Sequence, residues 1–252
     1  MLRVEGLTLA YGSEPILEDV NLEVETGRFA TLIGPSGSGK TSILRAITGL
    51  QKPRSGRLDL AIPVTEIGFL FQDDALLPWR TARQNVALGL RIRGARPAEA
   101  EAKAEDWLAK LGLHGLGGRF PRQLSGGQRK RVAIAQVLAL EPRLLLMDEP
   151  FASLDAIVRT RITQELMDWV EREHLTVLLV THDLEEAISM SDVVHVLSRG
   201  PHARIRSVHT VPIPRPRNLV ATRTDPKFPF LLQTLWNELS EEVKEADAGA
   251  LQ

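Results

Sequence analysis

The octapeptide G-P-S-G-S-G-K-T, residues 34–41, constrains the fold more than any other feature of this sequence. The apolar run Phe29–Ile33 precedes it and a helix-like segment, Ser42–Thr48, follows it. It therefore fits the pattern G-x-x-x-x-G-K-S/T in the strand–loop–helix setting that this pattern requires. The glycines permit a tight loop whose backbone N–H groups surround phosphate oxygens, at a helix N-terminus that favours anions. The alternative is a glycine-rich turn with an incidental lysine.

This loop predicts a site for the phosphates of ATP. Lys40 would reach the β- and γ-phosphates, and the Thr41 hydroxyl would ligate Mg²⁺. The residues assigned to nucleotide binding in this segment are Gly34, Pro35, Ser36, Gly37, Ser38, Gly39, Lys40, Thr41 and Ser42.

A second signal for a phosphate site is the pair Asp148-Glu149, which directly follows the apolar run Leu144–Met147. Carboxylates at the carboxyl end of a strand lie where α/β sheets bind their ligands. Asp148 can hold Mg²⁺ through water, and Glu149 can accept a proton from an attacking water molecule. Without the loop at residues 34–41, two adjacent acids at a turn would be ordinary solvated surface.

Short apolar runs alternate with helix-like segments along most of the chain, which indicates an α/β fold with a parallel sheet covered on both faces. The runs are Phe29–Ile33, Ile67–Phe71, Leu144–Met147, Val177–Val180 and Val193–Leu197. The N-terminal segment instead alternates apolar and polar residues, which is typical of a half-exposed antiparallel sheet. We therefore predict a mixed core sheet and an N-terminal antiparallel β subdomain.

The middle of the chain has helical patterns. Thr81 and Gln84 form a capping box, Pro97 opens an Ala/Glu/Lys-rich helix that runs to about Leu111, and a third helix starts at Ser125. Residues 83–140 are therefore predicted to be an inserted helical subdomain. The core would comprise residues 1–82 and 141–215 of a domain that spans residues 1–215.

The chain is rich in proline after Arg199, which suggests an extended connector there, and residues 216–252 are predicted to form a C-terminal connector and an amphipathic helix. The helix would carry an apolar stripe of Phe228, Leu231, Leu232, Leu235, Trp236 and Leu239. We expect this stripe to dock on the core of the same chain, and a subunit contact is the alternative.

Composition excludes several classes of protein. The formal net charge of -1 gives no global basic field for nucleic acid. No window reaches about 18 consecutive apolar residues, so the sequence predicts no membrane span. The absence of cysteine excludes disulfides and thiolate metal sites. The N-terminus lacks the apolar core of a signal peptide, and we expect a soluble cytoplasmic protein.

The stretch L-S-G-G-Q, residues 124–128, carries two conflicting signals. Ser125 and Gln128 form a capping box, so a helix can begin here. Two glycines in a first helical turn are costly, however, at roughly 1 kcal/mol each relative to alanine. This cost suggests that another group must come close to the backbone at Gly126 and Gly127.

Five motifs follow one another in a fixed order. They are G-P-S-G-S-G-K-T, L-S-G-G-Q, L-L-L-M-D-E-P at residues 144–150, S-L-D at 153–155 and T-H-D at 181–183. Proteins of many kinds share the first and third motifs, whereas L-S-G-G-Q between them marks one family. From about Leu2 to Ser198, the sequence resembles the nucleotide-binding subunits of ATP-binding cassette (ABC) transporters.

The resemblance implies roles for residues that would mean little alone. Tyr11 would stack on adenine, and Gln72 would contact Mg²⁺ and water and signal to a membrane partner. Asp155 would communicate between subunits, and His182 would sense the γ-phosphate. Taken alone, Tyr11 could be an ordinary strand aromatic residue and His182 a structural histidine.

The resemblance also implies a head-to-tail dimer with a second copy of the chain. In this dimer, Lys40 of one copy would hold a γ-phosphate that the signature residues of the other copy cap. These signature residues are Ser125, Gly126, Gly127 and Gln128. The residues expected to act in catalysis are Glu149, His182, Gln72 and Lys40. Those expected at the metal are Thr41, Gln72 and Asp148.

Two details near L-S-G-G-Q are interpreted separately. Gln136 stands where many members of the family have arginine, which would alter a local ion pair without removing a group needed for chemistry. The basic run Arg129–Arg131 is interpreted as a solvated face and not as a nucleic-acid patch.

Within the family, F-Q-D-D-A-L-L-P-W and T-H-D-L-E-E-A are most similar to importers of nitrate, sulfonates, taurine and related solutes, and importers of thiamine precursors are close. The implied partners are integral membrane permease subunits and, indirectly, a solute-binding protein, at the cytoplasmic face of the membrane. Leu76, Leu77, Pro78 and Trp79 would line the groove for the permease, or would only pack under the helical subdomain.

Two rival functions remain at this stage. A soluble ABC ATPase that acts on nucleic acid or ribosomes generally carries tandem cassettes, long insertions or zinc-binding cysteines, and this sequence has one cassette and no cysteine. A non-catalytic nucleotide-binding scaffold would not need turnover, yet Lys40, Asp148, Glu149 and His182 are all present.

Overall fold

The computed structural model describes residues 1–249, with side chains to Glu242. Strands β1 to β9 span Leu2–Tyr11, Glu14–Val24, Phe29–Ile33, Ser55–Leu60, Ile67–Leu70, Leu144–Asp148, Thr176–Val180, Val193–Leu197 and Ile205–Thr210. Helices α1 to α8 span Lys40–Ile47, Ala82–Ile92, Pro97–Lys110, Gly126–Leu138, Ala156–Arg172, Leu184–Met190, Leu219–Thr222 and Lys227–Gly249. The chain forms two compact units, residues 1–64 with 170–249 and residues 65–169.

The N-terminal sheet of the first unit is antiparallel, with strand order β2-β1-β4. Leu2 pairs with Val24 on one side and with Leu60 on the other. Alternate residues of β1 are buried, beginning with Leu2 and Val4. The predicted antiparallel subdomain is therefore confirmed, although the sequence did not predict β4, whose residues are exposed or only half buried.

The second sheet of this unit has strand order β7-β3-β8-β9. Strand β3 runs parallel to β7 and β8, and β9 runs antiparallel to β8, so the sheet is mixed as predicted. Every residue of β3 and β7 is buried, which explains why these strands are continuous apolar runs. Strand β9 corrects the prediction of an extended connector after Arg199, because its half-exposed alternating residues form no apolar run.

Helix α8 docks on the first unit through one face. Phe228, Leu231 and Leu235 are buried in a cluster with residues of α6 and β8, and Leu232 and Leu239 pack against that cluster. The predicted docking is confirmed. Trp236 was wrongly placed in the stripe, since its side chain is 62% exposed. Residues 250–252, the end of the predicted C-terminal segment, lie outside the described residues.

The second unit contains a parallel pair of strands and a group of helices. Strand β5 pairs with β6, with Leu70 opposite Met147, and helix α4 contacts β5. Helices α2, α3 and α4 contact one another. The capping boxes at Thr81 and Ser125 and the helix start at Pro97 are confirmed. The predicted insertion, residues 83–140, lies within this unit, and its limits as a domain stay a prediction.

None of the helices that the structure describes combines the length and the apolar character needed to cross a membrane.

Candidate nucleotide-binding site

The loop between β3 and α1 has a backbone that two of its glycines make possible. Gly39 has a φ of 94°, and a Cβ there would lie 2.9 Å from the Leu17 Cδ2 atom. A Cβ on Gly34 would lie 2.7 Å from the Leu197 carbonyl oxygen. A side chain at either position would force neighbouring atoms to move, so close packing requires both glycines, and the left-handed backbone at Gly39 favours glycine there as well.

Lys40 and Ser38 give this loop the chemistry of an anion site. The Lys40 side chain is 7% exposed, and its Nζ atom donates to the carbonyl oxygens of Gly34 and Pro35, at 2.8 Å each. The buried Ser38 hydroxyl has no hydrogen-bond partner among the described residues. Within the same part of the chain, the N-terminus of α1 has no side-chain cap. A buried cation, an unsatisfied hydroxyl and uncapped amides together suit phosphate oxygens.

Tyr11 lies beside this loop. Its hydroxyl is 3.4 Å from the Ser42 Oγ atom and donates to Gln51 Oε1 at 3.1 Å. The hydrogen bond with Ser42 is the main cause that lowers the pKa of Tyr11. The side chain is 55% exposed, so the hydroxyl is anchored while the ring remains accessible. This arrangement leaves an aromatic face on which a base can stack.

His182 follows the strand next to the one that leads into the loop. Val180 pairs with Leu32 in the parallel β3–β7 ladder, so His182 and Gly34 each lie two residues beyond this pair. The Thr181 backbone N–H donates to the Leu32 carbonyl at 3.4 Å. His182 is exposed, and the turn around it is fixed by Asp183, which caps α6 through the Glu186 N–H.

In the second unit, the predicted metal and catalytic groups share one sheet edge. Because Leu70 pairs with Met147, Gln72 and Glu149 each lie two residues beyond a paired position, and Asp148 ends β6. Glu149 has a φ of 44°. This left-handed conformation is rare for a residue with a side chain and concentrates at functional sites.

The L-S-G-G-Q segment forms the start of α4. Ser125 Oγ accepts from the Gln128 N–H at 3.3 Å, and Gln128 Oε1 accepts from the Ser125 N–H at 2.9 Å. A Cβ on Gly127 would lie 2.7 Å from the Val158 Cγ1 atom of α5, whereas one on Gly126 would first meet Arg129 Nη2 at 3.8 Å. Packing therefore requires glycine at 127, and the surroundings of Gly126 are open.

Asp155 lies immediately before α5. Its Oδ1 atom accepts from the Val158 N–H at 3.1 Å, and the residue is exposed. Asp155 therefore acts locally as an N-cap of α5.

The basic run after L-S-G-G-Q is not a solvated face, and that interpretation was wrong. Lys130 is fully buried, and its Nζ atom lies 3.0 Å from Asp74 Oδ1. The Arg131 guanidinium bonds to Glu165 at 2.7 Å and to the Leu111 carbonyl at 2.9 Å. Successive helical residues point about 100° apart, so three adjacent cations cannot share one face. The acidic partner Asp74, in F-Q-D-D, was the signal that the sequence offered.

Comparison with known proteins gives consistent matches. The family model described as ABC transporter matches residues 17–152. The taurine import ATP-binding protein TauB of Escherichia coli (strain K12) is 39% identical, over 96% of this chain and 98% of that protein. The sulfate/thiosulfate import ATP-binding protein CysA of Synechocystis is 44% identical. This match covers 78% of this chain and 58% of that protein.

Solved structures agree with these sequence matches. The ATP-binding cassette MJ0796, in a dimeric post-hydrolysis state bound to ADP and Pi, superposes with a TM-score of 0.73. It is 33% identical, and the match covers 84% of this chain and 99% of that one. The α/β fold with its mixed and antiparallel sheets is thus the fold of this cassette. The loop at 34–41, the L-S-G-G-Q helix and the matches in sequence and structure show that this chain belongs to the ABC transporter family.

Proposed function

We propose that the chain is the ATP-hydrolysing subunit of an importer for a small solute. The observation that carries this proposal is the loop at residues 34–41, which holds buried Lys40, a Ser38 hydroxyl that bonds to none of the described residues, and a start of α1 that no described side chain caps. Such a site binds phosphate through fixed donors and one buried cation. The names of two relatives, a taurine and a sulfate/thiosulfate import ATP-binding protein, support an importer of small anionic or sulfonated solutes.

In this proposal, each residue of the site has a separate role in hydrolysis. The backbone N–H groups of residues 36–41 and the Lys40 Nζ atom bind the β- and γ-phosphates, and Tyr11 stacks on the adenine. Glu149 accepts a proton from the attacking water, which His182 and Gln72 help to orient. Fixed donors around the γ-phosphate stabilise the charge that develops in the transition state.

Mg²⁺ is the metal that the site would hold. The Thr41 hydroxyl, the Gln72 amide and the Asp148 carboxylate offer oxygen atoms, which are the ligands that Mg²⁺ prefers. The bound ion would neutralise charge on the phosphates. Lys40 and the loop amides make their own contacts to phosphate and would position it independently of that ion.

A second copy of the chain completes the site in this proposal. Ser125 caps α4 at an exposed position, and the surroundings of Gly126 are open, so a phosphate held by another chain can approach this helix start. Gln128 keeps the Ser125 backbone in place, and exposed Asp155 lies at the start of the next helix. The MJ0796 cassette, which this chain resembles, forms a dimer in its structures.

The remaining partners are permease subunits at the cytoplasmic face of the membrane and, indirectly, a solute-binding protein. Trp79 is 71% exposed, which is unusual for so large an apolar side chain. The loop around it is held by buried Asn85, which accepts from the Leu77 N–H and donates to the carbonyls of Leu77 and Arg80. A rigid loop that exposes tryptophan suits a protein contact. A net charge of -1 argues against nucleic acid as a partner.

The test is hydrolysis by the Glu149→Gln variant. Gln keeps the size of the side chain but cannot accept the proton, and removal of a general base costs about 10²–10⁴-fold in rate. We expect steady-state hydrolysis to fall by at least about 100-fold, while bound ATP holds two chains together in size-exclusion chromatography.

Glu173→Gln, at an exposed carboxylate, is the matched control and should hydrolyse ATP at the normal rate. Normal turnover by Glu149→Gln would exclude Glu149 as the base. A wild-type chain that binds ATP without any hydrolysis, alone or with its permease, would instead support a scaffold and refute the proposed function.

A further inference from the structure

Lys130 is the most unusual charged residue of the second unit. Its side chain is completely buried, although lysine is among the residues least often found inside a protein. The Nζ atom contacts Asp74 Oδ1 at 3.0 Å and donates to the Gln72 carbonyl oxygen at 3.1 Å. Lys130, on helix α4, is thus bonded to the backbone of Gln72, the residue predicted to contact Mg²⁺ and water.

The ion pair with Asp74 does not by itself account for Lys130. Arg129 also contacts Asp74, with Nε 3.3 Å from Oδ2, so this carboxylate has a cation without Lys130. The bond from Lys130 to the Gln72 carbonyl has a different consequence. It holds the backbone of the loop after β5, whereas the ion pair balances the charge of Asp74. Gln72 itself is exposed, and it lies two residues beyond the end of β5.

The position of Lys130 on α4 links this bond to the start of the helix. Ser125 caps the helix, and Lys130 lies about one turn after the Gly126 start. A helix is stiff over such a distance, so a displacement at its first turn moves Lys130 with it. The Gln72 carbonyl would follow through a part-buried bond whose donor, the Lys130 Nζ atom, belongs to a fully buried side chain.

We propose that Lys130 is a positioning residue that holds Gln72 in register with the start of α4. If the proposed function is correct, on which this inference rests, α4 faces the ATP held by a second copy and Gln72 serves the ATP held by its own chain. Lys130 then joins the two ATP sites of the dimer within one chain. It touches neither nucleotide, and its effect is on how Gln72 is placed.

The test is Lys130→Met in the full chain, because methionine fills the space without a charge or an N–H donor. A misplaced catalytic group can cost up to about 10²-fold in rate without loss of binding. We expect kcat for ATP to fall about 10-fold or more, while KM and the Kd for ATP change by less than about twofold. A role in stability alone would not separate kcat from binding in this way.

Lys103→Met is the matched control, since Lys103 is a lysine of the same unit that pairs with Glu141 at 2.6 Å. Its kcat should stay within about twofold of the wild type. Asp74→Asn keeps the lysine and its bond to Gln72 while it removes the ion pair, so it should lower the unfolding midpoint in urea but retain most of kcat. If Lys130→Met fails to fold, Asp74→Asn tests the proposal alone, because a large fall of its kcat would assign the effect to the ion pair and not to the bond with Gln72.

The outcomes separate the two proposals. An active wild type with an unchanged kcat in Lys130→Met would overturn the role of Lys130 and leave the proposed function intact. An equal fall of kcat in Asp74→Asn and in Lys130→Met would also overturn the role of Lys130, because loss of the ion pair would then explain both results. A wild type without ATP hydrolysis would refute the proposed function itself.

Discussion

Helices α1 and α4 both begin at a segment that is expected to contact a phosphate, yet their first turns differ in how they are capped. Helix α1 follows Gly39 in a left-handed conformation, and within the described chain no side chain caps it. Helix α4 follows Ser125, which forms a complete capping box with Gln128. No described side chain therefore competes with a ligand as a cap of α1, whereas Gln128 and Ser125 already satisfy part of the start of α4.

The glycines of the two segments also differ in purpose. Gly34 and Gly39 allow the backbone of the 34–41 loop to approach Leu197 and Leu17. Gly127 instead allows α4 to approach Val158 on α5. In the proposed function, the first segment is an anion site made by one chain, with its own buried lysine. The second offers an exposed helix start whose neighbouring cations, Arg129 and Lys130, are paired with Asp74, and it suits a phosphate brought by another molecule.

The strongest test of this difference is Ser125→Arg. A long cation at an exposed helix start should block the approach of a second chain but leave the 34–41 loop intact. We expect ATP hydrolysis to fall by at least about 100-fold, since donors at a transition state are worth this much. The Kd of the monomer for ATP, measured by equilibrium dialysis, should change by less than about threefold.

Arg122→Ala provides the control for a changed surface charge near this helix, because Arg122 is exposed and precedes the motif. It should retain hydrolysis. If Ser125→Arg loses ATP binding to the monomer, Ser125 acts on its own chain and the contrast between the two helix starts is wrong.

The next largest effect should separate the two signature glycines. Gly127→Ala places a methyl group 2.7 Å from Val158 Cγ1, and overpacking of this kind costs about 1–3 kcal/mol. Gly126→Ala meets open surroundings, so it should not destabilise the chain and should raise the free energy of unfolding by up to roughly 1 kcal/mol. Urea denaturation of the two variants measures this difference.

Hydrolysis should show a different pattern from stability. A methyl group at Gly126 would stand where a phosphate is expected to approach, so this stable variant should lose turnover several-fold. Equal stability of both variants would mean that α5 moves away from Gly127 at little cost. Full turnover in Gly126→Ala would mean that no ligand approaches the backbone there.

Sequence patterns predicted the parts of the molecule in which a local rule decides the structure. The runs Phe29–Ile33 and Val193–Leu197 are strands because both faces are buried, and the capping boxes at Thr81 and Ser125 are satisfied within four residues. The 34–41 loop is specified by its own glycines and lysine. Each of these signals is complete within a short stretch of chain.

Features decided by distant residues could not be predicted in this way. Strand β9 depends on pairing with β8, since its own residues are half exposed. Lys130 is buried because Asp74, far away in the sequence, supplies the opposite charge. The need for glycine at 127 comes from Val158 on another helix. The positive φ of Glu149 likewise has no signature in the residue type, because glutamate rarely adopts it.

The smallest expected effect concerns Tyr11, at the edge of the 34–41 loop. Tyr11→Ala removes the exposed ring and should weaken ATP binding, since stacking of a base on an aromatic ring is worth about 1–3 kcal/mol. Tyr11→Phe keeps the ring but loses the hydrogen bonds to Ser42 and Gln51, so its Kd should stay within about threefold of the wild type. Fluorescence titration with a labelled ATP analogue measures both values. If Phe weakens binding as much as Ala, the hydroxyl matters through its anchoring of Ser42, and the loop at residues 34–41 depends on its neighbours more than the comparison with α4 implies.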